Sequence, residues 1–591
     1  MTPGPLTPLF LALLLAGCGG GDPAATDAAR AEPLAASAAE GAAAAAASQV
    51  ASLYALDFVA TAATGYGLND AGDVVGRAYT DTGCGPFCLP PQEIVVWRGG
   101  NRVVLPLVPG FDAGSQYPLY INNQGLVGGE VGLIGSSSTR AAVWAPSGGG
   151  YLAQDLGVFP GTSSADVFGL DDQGRMVGWA TQGGAIPTLT VPYVWSAASG
   201  MVDLRAQGFP NERPAAISPG GKVVTWNFWY QLGDPASVRP LPALPQGYVG
   251  AGSNGSAIND AGDQAHFLVS INTQNLVYPF RLSSGGTWQQ LSSFGTGRLS
   301  SSGMGSINAA QDVTFTVGST GMAAAGPAGV GQTLASLLSP AYPGAAVGSG
   351  GPMNASGQIL TQVMIGRSQR LMKMTPAAAC GANCLVSSSL VMTGQFVQDP
   401  ANPGSCFQGG RMYNLSSATV TMTSETGAPL ANVQVSGRFL DDYWTDRRVT
   451  GTSNAAGMVS WSYQGPCGVG AIAFLVDNAV LGTRSFDRTR GTLAQYVIPG
   501  TTPPPANQAP VAVAAAACVA GRTCTLDGRG SYDPDGSIAA YRWATTSGST
   551  LSTQPVFSQV FAKAGKTSVV LQVTDNGGLS ASKKLSFTVL R

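Results

Sequence analysis

A chain of 591 residues is too long for one hydrophobic core, and about 150 residues per domain predicts several domains, fewer if one of them is large. Charged residues make up only 10% of the chain and the formal net charge is -2, so no basic field exists to hold nucleic acid or acidic lipid, and neither is expected as a partner. With 81 glycines beside a hydrophobic share of 44%, the composition suits a turn-rich, all-β exported protein with little helix.

The chain opens on a short apolar run, Leu6 to Leu15, too short to span a bilayer and followed by Leu15-Ala16-Gly17-Cys18. This run resembles the lipobox of bacterial lipoproteins. The resemblance implies that residues 1–17 are a lipoprotein signal peptide and that Cys18 becomes the lipidated N-terminus, with the membrane as a partner through that lipid. Three acyl chains, at about 0.8 kcal/mol per buried methylene, exceed the one-chain limit at which anchoring is marginal. Residue 20 is Gly rather than the Asp of an inner-membrane retention signal, so the outer membrane or cell surface is the expected address. No Lys or Arg stands between Met1 and Pro8, which leaves open a start further upstream. Residues 18–50 are Ala-rich with no face to bury, and read as a tether.

From 51 to 376 one short phrase recurs seven times at a spacing near 48 residues, within the range of stacked supersecondary units. The copies begin at Leu68-Asn69, Ile121-Asn122, Leu170-Asp171, Ile217-Ser218, Ile258-Asn259, Ile307-Asn308 and Met353-Asn354, and most end in Gly three residues after the polar one. A polar side chain at the first turn position bonds the backbone ahead of it, and Gly at the fourth takes positive φ without steric penalty. The phrase therefore predicts a bulged hairpin turn, and two hairpins per period give a four-stranded blade. Seven blades predict a seven-bladed β-propeller, a ring with no exposed strand edge. Together with the strands ending Val95-Val96-Trp97, Ala142-Val143-Trp144 and Tyr193-Val194-Trp195, each before a Gly turn, the phrase resembles the HAF-type extracellular repeat of bacteria. That resemblance implies secretion more than any activity.

Residues 377–500 alternate with period two, as in Ala418-Thr419-Val420-Thr421-Met422 and Val433-Gln434-Val435-Ser436-Gly437. With Gly427-Ala428-Pro429-Leu430 between these strands, the segment resembles bacterial Ig-like modules, and a β-sandwich is expected. A Pro-rich linker, 501–508, precedes the last segment, 509–591. There Asp527-Gly528-Arg529-Gly530-Ser531, Asp533-Pro534-Asp535-Gly536-Ser537, Tyr541-Arg542-Trp543 and Val573-Thr574-Asp575-Asn576-Gly577-Gly578 resemble the polycystic-kidney-disease (PKD) domain. One departure stands after the Trp, where Ala544-Thr545-Thr546-Ser547-Gly548 replaces the family's Asp-Phe-Gly-Asp-Gly. The expected fold class is thus all-β, a propeller followed by two Ig-like β-sandwich domains.

Eight cysteines remain after Cys18 and fall into local pairs: Cys84 with Cys88, Cys380 with Cys384, Cys406 with Cys467, and Cys518 with Cys524. An even, paired set points to disulfides and an oxidising compartment; zinc is the rival reading, but His266 is the chain's single histidine. That histidine is also the only base of its kind for a hydrolytic triad, and strand alternation gives it a structural role. Glu93, Glu130, Glu212 and the pair Asp171-Asp172 are the carboxylates a glycosidase reading would test. No residue is assigned as catalytic. Calcium is the ligand the PKD resemblance implies, at Asn507, Asp533, Asp535 and Asp575. The plainer reading of Asp533-Pro534-Asp535-Gly536 is a turn whose carboxylates cap amides. No other cofactor is expected. In Thr225-Trp226-Asn227-Phe228-Trp229-Tyr230 alternation turns some aromatic rings outward, so Trp226, Trp229 and Tyr230 are the expected ligand-binding surface. The sequence reads as a monomeric, lipid-anchored cell-envelope protein that binds glycan or protein ligands without catalysis. A secreted carbohydrate-active enzyme carrying an accessory PKD domain and a periplasmic assembly scaffold are the alternatives.

Overall fold

A computed structural model describes residues 53–591 apart from 81–90, 112, 133–137, 183–188, 251–255, 273–275, 292–296, 299–301, 318–319, 326–328, 399–411, 443–444, 466–468, 499–508, 534–537 and 576–578. The described chain is all-β, with one four-residue α-helix, Leu334–Leu337. No helix among the described residues is long and apolar enough to cross a membrane.

Each of the seven phrases joins two neighbouring strands of an antiparallel sheet. In the first sheet Ala63–Leu68 pairs with Val74–Tyr79, then Gln92–Arg98, then Asn101–Val104. The second and third sheets repeat this order from Gln116–Ile121 and Ser164–Leu170, and the fourth from Ala216–Ile217. The fifth carries six strands, including Ser256–Ile258 and Gln264–Ser270, and the sixth runs from Ser302–Ile307 to Val330–Thr333. In the seventh, Ala345–Met353, Ile359–Ile365 and Ser368–Pro376 are joined by Tyr54–Thr61 from the start of the described chain. Apolar residues alternate into clusters shared by neighbouring sheets: Val75, Ile94 and Val96 with Ile121, Val127 and Trp144, and likewise Val95 and Trp97 with Leu360 and Leu371 of the seventh sheet. Trp97, Trp144 and Trp195 are all buried.

The turns form as their composition dictates. In the first, Gly72 N–H donates to Asn69 O (3.0 Å) and Asn69 N–H to Asp73 O (3.1 Å), with Gly72 at φ 80°. The sixth copy holds Gln311 where the others hold Gly, and Gln311 still sits at φ 64°. A second glycine is required by the bulge in the strand before the turn, between Gly65 and Gly67 in the first sheet. A Cβ on Gly76 would stand 2.1 Å from Thr64 O, and on Gly129 2.0 Å from Tyr117 O, closer than any side chain allows.

Beyond residue 376, Cys384–Gln398, Met412–Thr423, Met458–Gly465 and Ser485–Phe486 form one sheet, and Gln434–Asp441, Asp446–Thr452, Ile472–Val480 and Ala494–Val497 another. Leu390, Val420, Phe439 and Phe474 fill the space between them, in a cluster continuous with Tyr54, Leu56, Met372 and Met374 of the seventh sheet. Charged contacts reinforce that junction: Arg488 pairs with Asp57 (2.8 Å), and the buried Arg370 donates to Asp441 O (2.6 Å). The last sandwich stacks Ala515–Val519, Thr523–Asp527 and Val556–Val560 on Ile538–Thr545, Thr550–Ser552, Gly565–Asp575 and Ser580–Val589. Trp543 is fully buried at its centre with Leu526, Leu571 and Val573.

Candidate functional site

The polar residue of each phrase does more than make its own turn. All seven are buried, from Asn69 through Asn354. Asn69 Oδ1 accepts Asp73 N–H at 2.8 Å inside the turn, while its Nδ2 donates to Asn122 O of the next sheet at 3.1 Å. Asn122 donates likewise to Asp171 O (3.0 Å), Asn259 to Asn308 O (2.8 Å), and Asn354 to Asn69 O (3.0 Å). The following residue adds a second row, in which Asp70 N–H donates to Asn123 Oδ1, Asn123 N–H to Asp172 Oδ1, and Ala355 N–H to Asp70 Oδ1. An amide side chain is suited to this position because it both accepts and donates. Asp171 lacks the donor and instead holds Arg175 Nε at 2.7 Å.

The strands leading into these turns line a central cavity of about 660 Å3, walled by residues from all seven sheets, including Tyr66, Tyr120, Phe168, Ser256, Ser306 and Pro352. Beside Phe168 of this wall lies a charged cluster. Arg213 stacks on the Phe168 ring at 4.2 Å, and its charge acts on Glu130 and Asp166. Glu130 Oε1 accepts Val167 N–H at 2.6 Å, yet burial pushes its carboxyl up to about 7; the Val167 bond and Arg213 pull the other way, and Asp166 adds to the rise. Burial also raises the Tyr120 phenol, with the Glu130 charge second.

Next to Arg213, Glu212 pins a turn between Lys222–Val224 and Phe228–Gln231. Its Oε2 accepts Thr225 Oγ1 (2.7 Å) and Asn227 N–H (3.0 Å), and its Oε1 accepts Asn227 Nδ2 (2.7 Å). The turn presents Trp226, 57% exposed. The segment that follows Arg213 runs through Ala215 and Ala216 on the cavity wall. The turn that carries Trp226 is thereby tied through Glu212 to a segment of the cavity wall.

The three aromatics expected to form a ligand surface are separated by the fold. Trp229 is half-buried with Lys222 Nζ over its ring at 5.5 Å. Tyr230 is a correction: it is fully buried, stacked on Phe209 with centroids 4.6 Å apart, because alternation from the exposed tip turns it into the core. Of the carboxylates, Glu93 pairs with Arg102. Asp171 and Glu212 are structural holders; Asp172 accepts Asn123 N–H and Nδ2 and is raised by burial, and Glu130 is raised up to about 7. His266 is buried, its Nδ1 2.9 Å from Ser256 Oγ and its Nε2 2.9 Å from Gln264 Oε1. The amide oxygen fixes the proton on Nε2, so Nδ1 accepts from Ser256. Burial pushes the imidazole down to about 4, and a neutral amide gives an imidazolium no support, so this pair makes a poor base.

Cys380–Cys384 and Cys518–Cys524 are disulfide-bonded. Cys18, Cys84, Cys88, Cys406, Cys467, Asn507 and Asp535 lie outside the described residues. Both carboxylate oxygens of Asp533 are shut from solvent, and Asp575, also buried, accepts Leu579 N–H at 2.8 Å. Arg213, Phe168 and Tyr120 were not singled out from sequence; they come from three different repeats, and only the packing of sheets brings them together.

These features define an all-β protein ending in an Ig-like β-sandwich. Residues 507–589 match the PKD domain family model. The same part is 34% identical to the PKD1 domain from Vibrio cholerae metalloprotease PrtV, covering 14% of this chain and 100% of that one with a TM-score of 0.13. It is 30% identical to the PKD1 domain of Vibrio anguillarum Epp, covering 14% and 96%, again with a TM-score of 0.13. The C-terminal segment belongs to the PKD family. A puromycin hydrolase structure is 13% identical over 62% of this chain and 59% of its own, with a TM-score of 0.35, a likeness too slight to carry any argument.

Proposed function

We propose that this is an exported, lipid-anchored protein of the cell envelope whose seven sheets are the blades of a closed seven-bladed β-propeller, and that it binds glycan or extracellular protein ligands without catalysis. Support for closure comes from the turn bonds that lead from each end of the series back to the other, Asn354 to Asn69, and from the apolar cluster shared by the first and seventh sheets. Export is supported by the two disulfides, which persist in oxidising compartments, and by the PKD domain. The binding role rests on Trp226: its exposed indole stands on a turn whose two flanking residues, Thr225 and Asn227, donate three hydrogen bonds to Glu212, and an exposed indole on a fixed turn offers a face on which a ligand can stack. Anchoring at Cys18 belongs to the same reading, as does a monomeric state.

Calcium at the PKD segment belongs to the same reading, on the hard oxygen ligands that Asp533 and Asp575 offer. With Asn507 and Asp535 these residues would hold the ion, which would supply structural cross-linking. A rise in melting temperature on adding calcium to chelator-treated protein is the check.

A glycan and matrix-protein array probed with the wild type and with Trp226→Ala tests the main reading. Signal on some ligand class that the variant loses is the expected result; equal signal from both proteins would remove Trp226 from the binding site. Protease shaving of intact cells separates a surface adhesin, which is cut, from a periplasmic scaffold, which survives.

A further inference from the structure

A second cavity, of about 520 Å3, opens between the seventh and first sheets, where the start of the described chain meets its own repeat series. The chain crosses this seam on one residue: Ala62 alone separates Tyr54–Thr61 in the seventh sheet from Ala63–Leu68 in the first, and it is held at φ 42°. An alanine in the left-handed region is strained by about 1–2 kcal/mol, and such strain concentrates at ligand sites.

The chemistry of the walls is narrow. Tyr66, Tyr79 and Arg77 come from the first sheet along with Gln92, while Gln362 and Gln369 come from the seventh; among the described residues no carboxylate lines the cavity and Arg77 is its one cation. Arg77 donates to Gln92 Oε1 and to Gly114 O (3.2 Å), and lies over the Tyr117 ring at 4.9 Å. Gln362 is anchored by donation to Ala63 O at 2.8 Å, which ties the two sheets across the seam. Gln369 is exposed.

We infer that this seam is a binding site for a neutral saccharide, separate from the Trp226 turn. Carboxamides donate and accept at once, as sugar hydroxyls do, and phenol rings offer faces for the apolar side of a sugar ring. A cation finds no carboxylate among the described residues here, and an anion finds a guanidinium whose NH2 already donates to Gln92 and Gly114. The volume falls within the range of roughly 300–1,000 Å3 typical of small-ligand sites. A ligand bridging Gln92 and Gln369 would also join the first sheet to the seventh, and so raise the melting temperature of the whole series.

The test is titration of the full chain with maltotriose, cellotriose and chitotriose, beside trigalacturonate and inorganic phosphate as charged probes, read by calorimetry and by thermal shift. At least one neutral trisaccharide should bind and raise the melting temperature. Gln92→Ala and the exposed Gln369→Ala should each weaken it by roughly tenfold, and Trp226→Ala should leave it unchanged. Binding of none of the three, or tighter binding of trigalacturonate or phosphate, overturns the inference. Loss with Trp226→Ala but not with Gln369→Ala also overturns it while leaving the role of Trp226 standing. Conversely, intact seam binding beside a Trp226→Ala array identical to wild type would sink the Trp226 reading alone.

Discussion

Replacing Asn69 by Asp changes one NH2 for one oxygen, and the structure makes that a severe substitution. The retained oxygen can still accept Asp73 N–H, but the donor to Asn122 O is gone, and a new carboxylate faces the Asp73 carboxylate that Asn69 Nδ2 now reaches at 3.3 Å. Asn122 O keeps the Gly125 N–H at 3.0 Å, so the lost bond costs about 0.5–1.5 kcal/mol. Two like charges at this range add on the order of 2 kcal/mol, of which Arg98, 2.8 Å from Asp73, offsets part. A net loss of about 1–3 kcal/mol at pH 7 follows, or, at about 2–4 °C per kcal/mol for large domains, a fall of roughly 2–12 °C in melting temperature. The sign with pH is fixed: burial and Asp73 raise the new carboxyl above its unfolded value, so the folded state binds its proton more tightly. The deficit is full at neutral pH and shrinks as pH falls toward 4, where a protonated carboxyl also donates to Asn122 O. Differential scanning calorimetry at pH 7.5 and 4.5 measures this. A variant within 1 °C of wild type at both values would refute the idea that the side-chain amide stitches sheets together.

Four further outcomes are expected. Glu130→Gln keeps the acceptor for Val167 N–H, so it should match wild type at pH 4.5 and exceed its stability above pH 7, since ionising a carboxyl raised to about 7 destabilises the fold as pH climbs; scanning calorimetry across pH reads the difference. Gln311→Gly relieves a left-handed non-glycine residue and should stabilise by about 1 kcal/mol in thermal melts. Serine in place of both Cys518 and Cys524 should cost about 2 kcal/mol, seen as a lower melting temperature of the last sandwich. Wild type and Ser256→Ala should hydrolyse chromogenic esters at the same rate, because a histidine pushed down to about 4 is a weak base; a faster wild type would refute this.

Local turn chemistry was readable from the sequence because it is written in adjacent residues. Asn69 to Gly72 needs only four positions, and the positive φ of Gly72 and its relatives follows from steric rules. The sandwich strands and the PKD motif were legible for the same reason, as short local patterns. The second role of the asparagines was not, since the partner of Asn354 is Asn69, 285 residues away. Nor could alternation alone assign Tyr230, because it fixes which residues share a face without saying which face is solvent. The Glu130 and Arg213 cluster drew on separate repeats with no motif in common, and the continuous core between the seventh sheet and the next sandwich crosses what composition marks as a boundary.

That shared core has a mechanical meaning. Tyr54 pairs with Pro376, and Ala377 N–H donates to Leu53 O (3.0 Å), so the chain enters the seventh sheet and leaves it at the same end of the same pair of strands. A pull between the N-terminal side and the C-terminus would therefore peel this pair one bond at a time, the weakest way to load antiparallel strands. Arg488 grips that end, bonded to both Asp57 and Leu56 O, and Leu493 N–H is tied to Ala341 O. The sandwich after residue 376 acts as a latch on the point where tension would otherwise start to unzip the repeats.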